Sequence, residues 1–220
     1  MTFRLQYVNN NYKLTLLYLS ILSPLIPLLS GIKKRLSLLW LYPLVGLIFD
    51  LLVFYFKRVA HVNHSIAGNL FILTEFWLIS LLYRQKIFAS KVAFIILTTT
   101  LSSGFIGTLF IRTISDFNII GTSIFSLTYI TYGIFGFYNL LKNQEEVYLE
   151  RSSFFWLNTG LTIYASGNLL LFLFMDYLFK INRELFLSAW FSIFQILNIT
   201  KNILIAVALY HYKPAPRESH

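Results

Sequence analysis

The sequence predicts an all-α membrane protein: a single-domain bundle of seven transmembrane helices, with its N-terminus outside and its C-terminus inside. Three observations carry this. First, of 220 residues 57% are hydrophobic and only 12% charged, with a mean hydropathy of +0.67. A soluble domain carries about a quarter charged residues, so this chain lacks the polar surface to face water. Second, the apolar residues gather into seven runs, at 14–31, 36–56, 65–83, 91–111, 119–141, 153–177 and 186–210. Each is close to the roughly 20 residues a helix needs to cross a hydrocarbon layer. Third, the runs are continuous and do not alternate at every second residue, which favours helices over barrel strands.

Span one follows Arg4 and Lys13 and could pass for a signal peptide. It contains Pro24 and Pro27, lacks a small-residue cleavage site and runs into Lys33-Lys34-Arg35, so it reads as an uncleaved first span. Pro24, Pro27 and Pro43 each remove a backbone donor and are expected to bend or break spans one and two. Span two closes on Lys57 and Arg58, and span three on Arg84 and Lys86. Span four carries Ser103, Gly104, Gly107 and Thr108, and span five Gly121, Gly133 and Gly136. Small residues at four-residue spacing, such as Ser103 with Gly107, let helices approach closely in lipid. Trp40, Tyr42, Trp156, Tyr177, Trp190 and Tyr210 lie near span ends, where interfacial anchors belong.

The connections hold almost all the charge. Ten Lys and Arg fall on the side of loops one, three and five with the C-terminal tail, and seven on the other side, which sets the predicted orientation. The formal charge of +9 reads as loops facing an anionic membrane rather than nucleic acid. No soluble domain fits in the residues left over. The tail after Tyr210 is too short for an output domain, so any signal is expected to pass to a separate protein at the inner face.

The chain has no Cys, which excludes disulfides, thiolate metal sites and Cys nucleophiles. Hydrolase, zincin, phosphate-loop and dinucleotide signatures are absent. His61 and His64 are two imidazoles without a third ligand, so neither a metal nor a cofactor is expected. Glu145, Glu146 and Glu150 with Lys142 and Arg151 read as a solvated charge cluster.

Ionisable groups inside a bilayer are expensive and point to function. Three occur: Asp50 in span two, Glu75 in span three and Lys201 in span seven. At about 1.5 Å rise per residue, Glu75 lies ~15 Å and Lys201 ~22 Å below the outer ends of their helices. A Lys side chain tilts toward its helix N-terminus, which for Lys201 is the direction of Glu75. A buried Lys201–Glu75 pair is therefore expected, with Asp50 as a further buried charge. Span seven also carries Ser188, Ser192, Gln195, Asn198 and Asn202 on one arc, and span six Asn158, Thr162 and Ser166 on one face. Such stripes turn inward, as a ligand site or as interhelical glue.

Two resemblances follow from these residues. Seven spans with a lysine in the seventh and a carboxylate in the third resemble the microbial rhodopsins, which implies a retinal Schiff base on Lys201 with Glu75 as counter-ion. Ile72 stands where that family has an arginine, Leu197 where it has an acid, and span six lacks its aromatic–proline cage. Leu73-Thr74-Glu75-Phe76, Phe155 to Gly160 with Tyr164 to Asn168, and Ile196 to Ile199 with Lys201 to Ile203 resemble a family of small seven-helix integral membrane proteins of Bacteroidota-type bacteria. That resemblance implies a multi-pass protein of the bacterial inner membrane and carries over no catalytic residue.

The expected function is a receptor or sensor-like module without enzymatic activity. It would bind a small molecule or lipid among spans three, six and seven, at Glu75, Asn158, Thr162, Ser166, Gln195, Asn198, Lys201 and Asn202. The alternatives are a lipid-modifying membrane enzyme, a small transporter or proton path, and a retinal protein.

Overall fold

The computed structural model describes residues 2–34, 37–61, 63, 65–111, 118–143, 148–174 and 183–212. The described chain is helical, with no strand among these residues. In chain order the helices are α1 (Thr2–Leu22), α2 (Leu25–Ser30), α3 (Leu38–Arg58), α4 (Ser65–Ile87), α5 (Lys91–Ile111), α6 (Ile119–Asn143), α7 (Ser153–Leu173) and α8 (Arg183–His211). Span one is α1 and α2 together; spans two to seven are α3 to α8.

The prolines act differently in the two places where a break was expected. Between α1 and α2 the helix is interrupted at Ser23–Pro24. There the Ser20 carbonyl accepts both the Ser23 amide (3.2 Å) and the Ser23 hydroxyl (2.7 Å). Pro43, by contrast, sits inside α3 without ending it. Polar side chains set several helix starts by accepting otherwise orphaned backbone donors. Ser37 caps α3 through the Trp40 amide (3.2 Å), and Asn63 accepts the Ser65 amide at the head of α4 (2.8 Å). Asn118 caps α6 through the Gly121 amide (3.0 Å) while its own amide donates to Asn69 of α4.

The helices form a closed ring. α8 packs along α7 and against α1, α2 and α3; α3 packs on α4, α4 on α6, and α6 on α7. α5 lies outside this ring, against α4 and α6. The centre between α4, α5 and α6 is an aromatic stack. Phe76 and Phe125 are parallel with centroids 4.0 Å apart, and Phe105 continues the stack on Phe125 at 4.9 Å. Outward, large apolar side chains are exposed on every long helix, among them Leu70, Phe110, Leu141 and Leu173. A soluble protein does not present such a continuous apolar exterior; a lipid-embedded one requires it.

Six helical segments are long and apolar enough to cross a membrane: Asn11–Ser30, Leu38–Arg58, Ser65–Ile87, Lys91–Phe110, Ile119–Lys142 and Trp190–His211. The chain is thus a polytopic α-helical membrane protein. α7 is not among the six, although a seventh span was expected there. It is 21 residues long and uncharged, and it carries Asn158, Thr159, Thr162, Ser166 and Asn168. It packs between α6 and α8, with Asn158, Leu161 and Ala165 fully enclosed.

Of the small residues expected to allow close helix approach, those of span five do so and those of span four do not. Around Gly104 and Gly107 the space is open. The tight glycines lie along α6 and α7: a side chain at Gly136 would meet the Asn158 Oδ1 at 2.7 Å, and one at Gly133 would collide with Thr162.

Candidate ligand site in the helix bundle

The site is built on four helices. Glu75 of α4 and Lys201 of α8 are both buried, and Lys201 Nζ lies 3.4 Å from Glu75 Oε1. The Tyr42 hydroxyl of α3 donates to the same carboxylate oxygen at 2.8 Å. Lys201 also sits over the Tyr164 ring of α7, 4.1 Å from its centroid, with the Tyr42 ring at 5.4 Å. The ammonium thus has a carboxylate on one side and an aromatic face on another, which offsets much of the cost of removing it from water.

Two amides of α8, three residues before Lys201 and directly after it, hold the end of α1 and the break that follows it. Asn198 donates to the Ser20 hydroxyl (3.0 Å) and Asn202 to the Ser23 hydroxyl (2.7 Å). The interruption before Pro24 brings these two serines to the α8 surface. A cavity of about 30 Å³, room for about one water, is lined by Asp50, Glu75, Asn198, Lys201 and Asn202 together with Pro24, Pro43 and Gly46. Two ring-constrained residues and one without a side chain leave this space open.

A second, larger cavity of about 670 Å³ lies between α1, α3, α4 and α8 and shares Asp50, Phe194 and Asn198 with the first. Its walls include Leu17, Val53, Phe54 and Phe191, and Lys13, Lys57 and Arg58 stand at one end. Asp50 is half-buried between the two cavities.

The residues expected at a site therefore separate. Glu75, Asn198, Lys201, Asn202 and Asp50 converge on the small cavity, and Gln195 lines the larger one. Asn158 and Thr162 turn toward α6. Asn158 accepts from the Tyr83 hydroxyl (2.6 Å) and donates to the Gly133 carbonyl (3.0 Å), while Thr162 back-bonds to the Asn158 carbonyl (2.7 Å). Ser166 is half-buried and lines neither cavity. Ser192 accepts the Tyr12 hydroxyl (2.6 Å), a further link between α1 and α8.

Sequence reasoning missed Tyr42, Tyr164, Ser20 and Ser23. Tyr42 looked like an interfacial anchor but is buried, 3% exposed, because its hydroxyl serves Glu75. Its place eight residues N-terminal of Asp50 in the same span was the available signal. Trp156 does stand at a helix end, donating to the Glu150 carbonyl (2.8 Å). Tyr177, His64, Glu145 and Glu146 lie outside the described residues. No group of three or more His, Cys, Asp or Glu residues able to hold a metal occurs among the described residues.

Fold and site together define a class: a polytopic helical membrane protein with an ion pair enclosed beside an internal cavity. Compared with protein-family models, curated proteins and solved structures, the chain matches none.

Proposed function

We propose that this is a ligand-binding membrane receptor, a sensor-like module that admits a small molecule or lipid to the cavity between α1, α3, α4 and α8. The reading is carried by one observation: the larger cavity and the ion-paired small one share Asp50, Phe194 and Asn198. An occupant therefore bears on side chains of α3 and α8 that also line the space beside the ion pair. The volume, about 670 Å³, falls within the roughly 300–1,000 Å³ of small-molecule sites. α8 lines the cavity with its N-terminal half and ends at His211 on the other face of the bundle, so it is the element suited to pass occupancy to a separate partner protein. The Lys and Arg bias supports an external N-terminus, which would open the cavity to the outer side of a bacterial inner membrane.

The test is native mass spectrometry of protein extracted in mild detergent. Gly68 lines the larger cavity, and a Cβ there has no heavy atom within 4 Å, so Gly68→Trp is the variant chosen to occupy the cavity. Wild type should carry a bound species of defined mass that G68W loses at unchanged melting temperature. Absence of any bound species, or equal amounts on both proteins, would remove the reading.

A second reading, a lipid-modifying membrane enzyme, is favoured by one feature: a carboxylate and an ammonium within hydrogen-bond reach beside a cavity. Glu75 or Asp50 would then serve as acid or base. Conversion of the bound species to a product of different mass, lost in Glu75→Gln, separates it from simple binding.

A further inference from the structure

The larger cavity is graded in chemistry along α3. Lys57 and Arg58 stand at its mouth with Lys13 of α1; Val53 and Phe54 form the middle; Asp50 lies at the floor. At a helical rise of about 1.5 Å per residue, Asp50 and Lys57 are ~10 Å apart along the axis. At the floor, Glu75 is matched by Lys201 and Tyr42. Asp50 accepts no hydrogen bond from any described residue, so in the small cavity two carboxylates face one ammonium. A carboxylate without a matching cation is costly so deep in a bundle. The apolar middle suits an alkyl body better than a hydrated ion.

We infer that the occupant is an amphiphile charged at both ends. A protonated amine docks on Asp50, an apolar body of ~10 Å fills the middle, and a carboxylate or phosphate is held at the mouth by Lys13, Lys57 and Arg58. This rests on the ligand-binding reading above and adds the chemistry of the ligand to it. Each end is chosen by complementarity. The mouth offers three cations with no described carboxylate in ion-pair range, and the floor offers a carboxylate that shares a single ammonium with Glu75.

Three probes separate the contributions, each added to the purified full chain and followed by calorimetry and thermal shift. One is an ω-aminoalkanoate whose chain of about ten carbons matches the ~10 Å between Asp50 and Lys57; the others are the alkanoate and the alkylamine of equal length. The aminoalkanoate should bind wild type about tenfold or more tighter than either, the usual scale of a hydrogen-bonded charge contact. Asp50→Asn should abolish its advantage over the alkanoate, and the Lys57→Gln/Arg58→Gln double variant its advantage over the alkylamine. Asp50→Ser repeats the floor test should D50N fold poorly. Equal binding of aminoalkanoate and alkanoate to wild type, or a preference that survives both Asp50 variants, overturns the inference. If no probe binds, the inference also fails, while the species retained by wild type and lost in G68W still decides the ligand-binding reading independently.

Discussion

Lys201 and Glu75, separated by 126 positions in the chain, meet at 3.4 Å inside the bundle and are each about 6% exposed at the side chain. Both are withdrawn from bulk solvent. Each therefore depends on the other, and the pair depends on α4 and α8 keeping their depth and rotation. Tyr42 and Tyr164 complete the enclosure from α3 and α7.

Removing one charge should cost more than removing both. In buried pairs the loss of one partner costs about 3–5 kcal/mol because the other charge is stranded. Glu75→Gln and Lys201→Met should each lower the melting temperature markedly in detergent, and the double variant should recover part of the loss. Strictly additive losses in a double-mutant cycle would mean that the two groups are not coupled.

The two tyrosines around the pair should respond differently to losing their hydroxyls. Tyr42→Phe deletes the hydrogen bond to Glu75 and should cost about 1–3 kcal/mol, as for a bond to a charged acceptor. Tyr164 offers Lys201 its ring face, so Tyr164→Phe should leave the ion pair supported while Tyr164→Leu loses roughly 0.5–2 kcal/mol of cation–π attraction. Thermal unfolding of the three variants side by side checks the order.

Glycine substitutions should divide by helix. At Gly136 a methyl group would meet Asn158 Oδ1 at 2.7 Å, so Gly136→Ala should destabilise and loosen α6 from α7. At Gly104 and Gly107 nothing lies within 4 Å, and Ala there should be neutral or slightly stabilising. Melting temperatures in one detergent give the comparison.

Asn158 should matter to stability and not to ligand retention. Asn158→Leu orphans the buried Tyr83 hydroxyl, a loss of about 1–3 kcal/mol, and removes the bond that ties α7 to the Gly133 carbonyl of α6. Asn198→Leu removes a group that lines both cavities, so it should reduce the retained species in native mass spectra. Equal effects of both variants on retention would place Asn158 in the site after all.

The natural absence of Cys makes orientation directly measurable with single introduced thiols. Asn63 precedes α4 and Ser90 precedes α5, and both are exposed. Asn63→Cys should react with an impermeant maleimide on intact cells, and Ser90→Cys only after permeabilisation. The reverse pattern would invert the predicted topology.

Much of this molecule is written along one dimension. The solvent is settled by composition, because 12% charge cannot cover a water-facing surface. Helix positions follow from the length of apolar runs, and the depths of Glu75 and Lys201 follow from counting residues at a fixed rise, which is why their meeting was legible. Rotation and neighbour choice are not linear properties. Asn158 and Asn198 look alike as amides in apolar helices, yet one closes a seam with α6 and the other faces α1 beside a cavity.

What tertiary structure alone decided is which helix stands opposite which. The meeting of the α1–α2 segment with α8 through Ser20 and Ser23, the burial of Tyr42, the enclosure of α7 by its neighbours, and the place of Asp50 between two cavities all arise from packing. The physical reason is that apolar runs specify the medium and not the partner. In lipid every apolar face is equally content, so small residues and hydrogen-bonding side chains choose the neighbour, and their choice is expressed only once the helices are assembled.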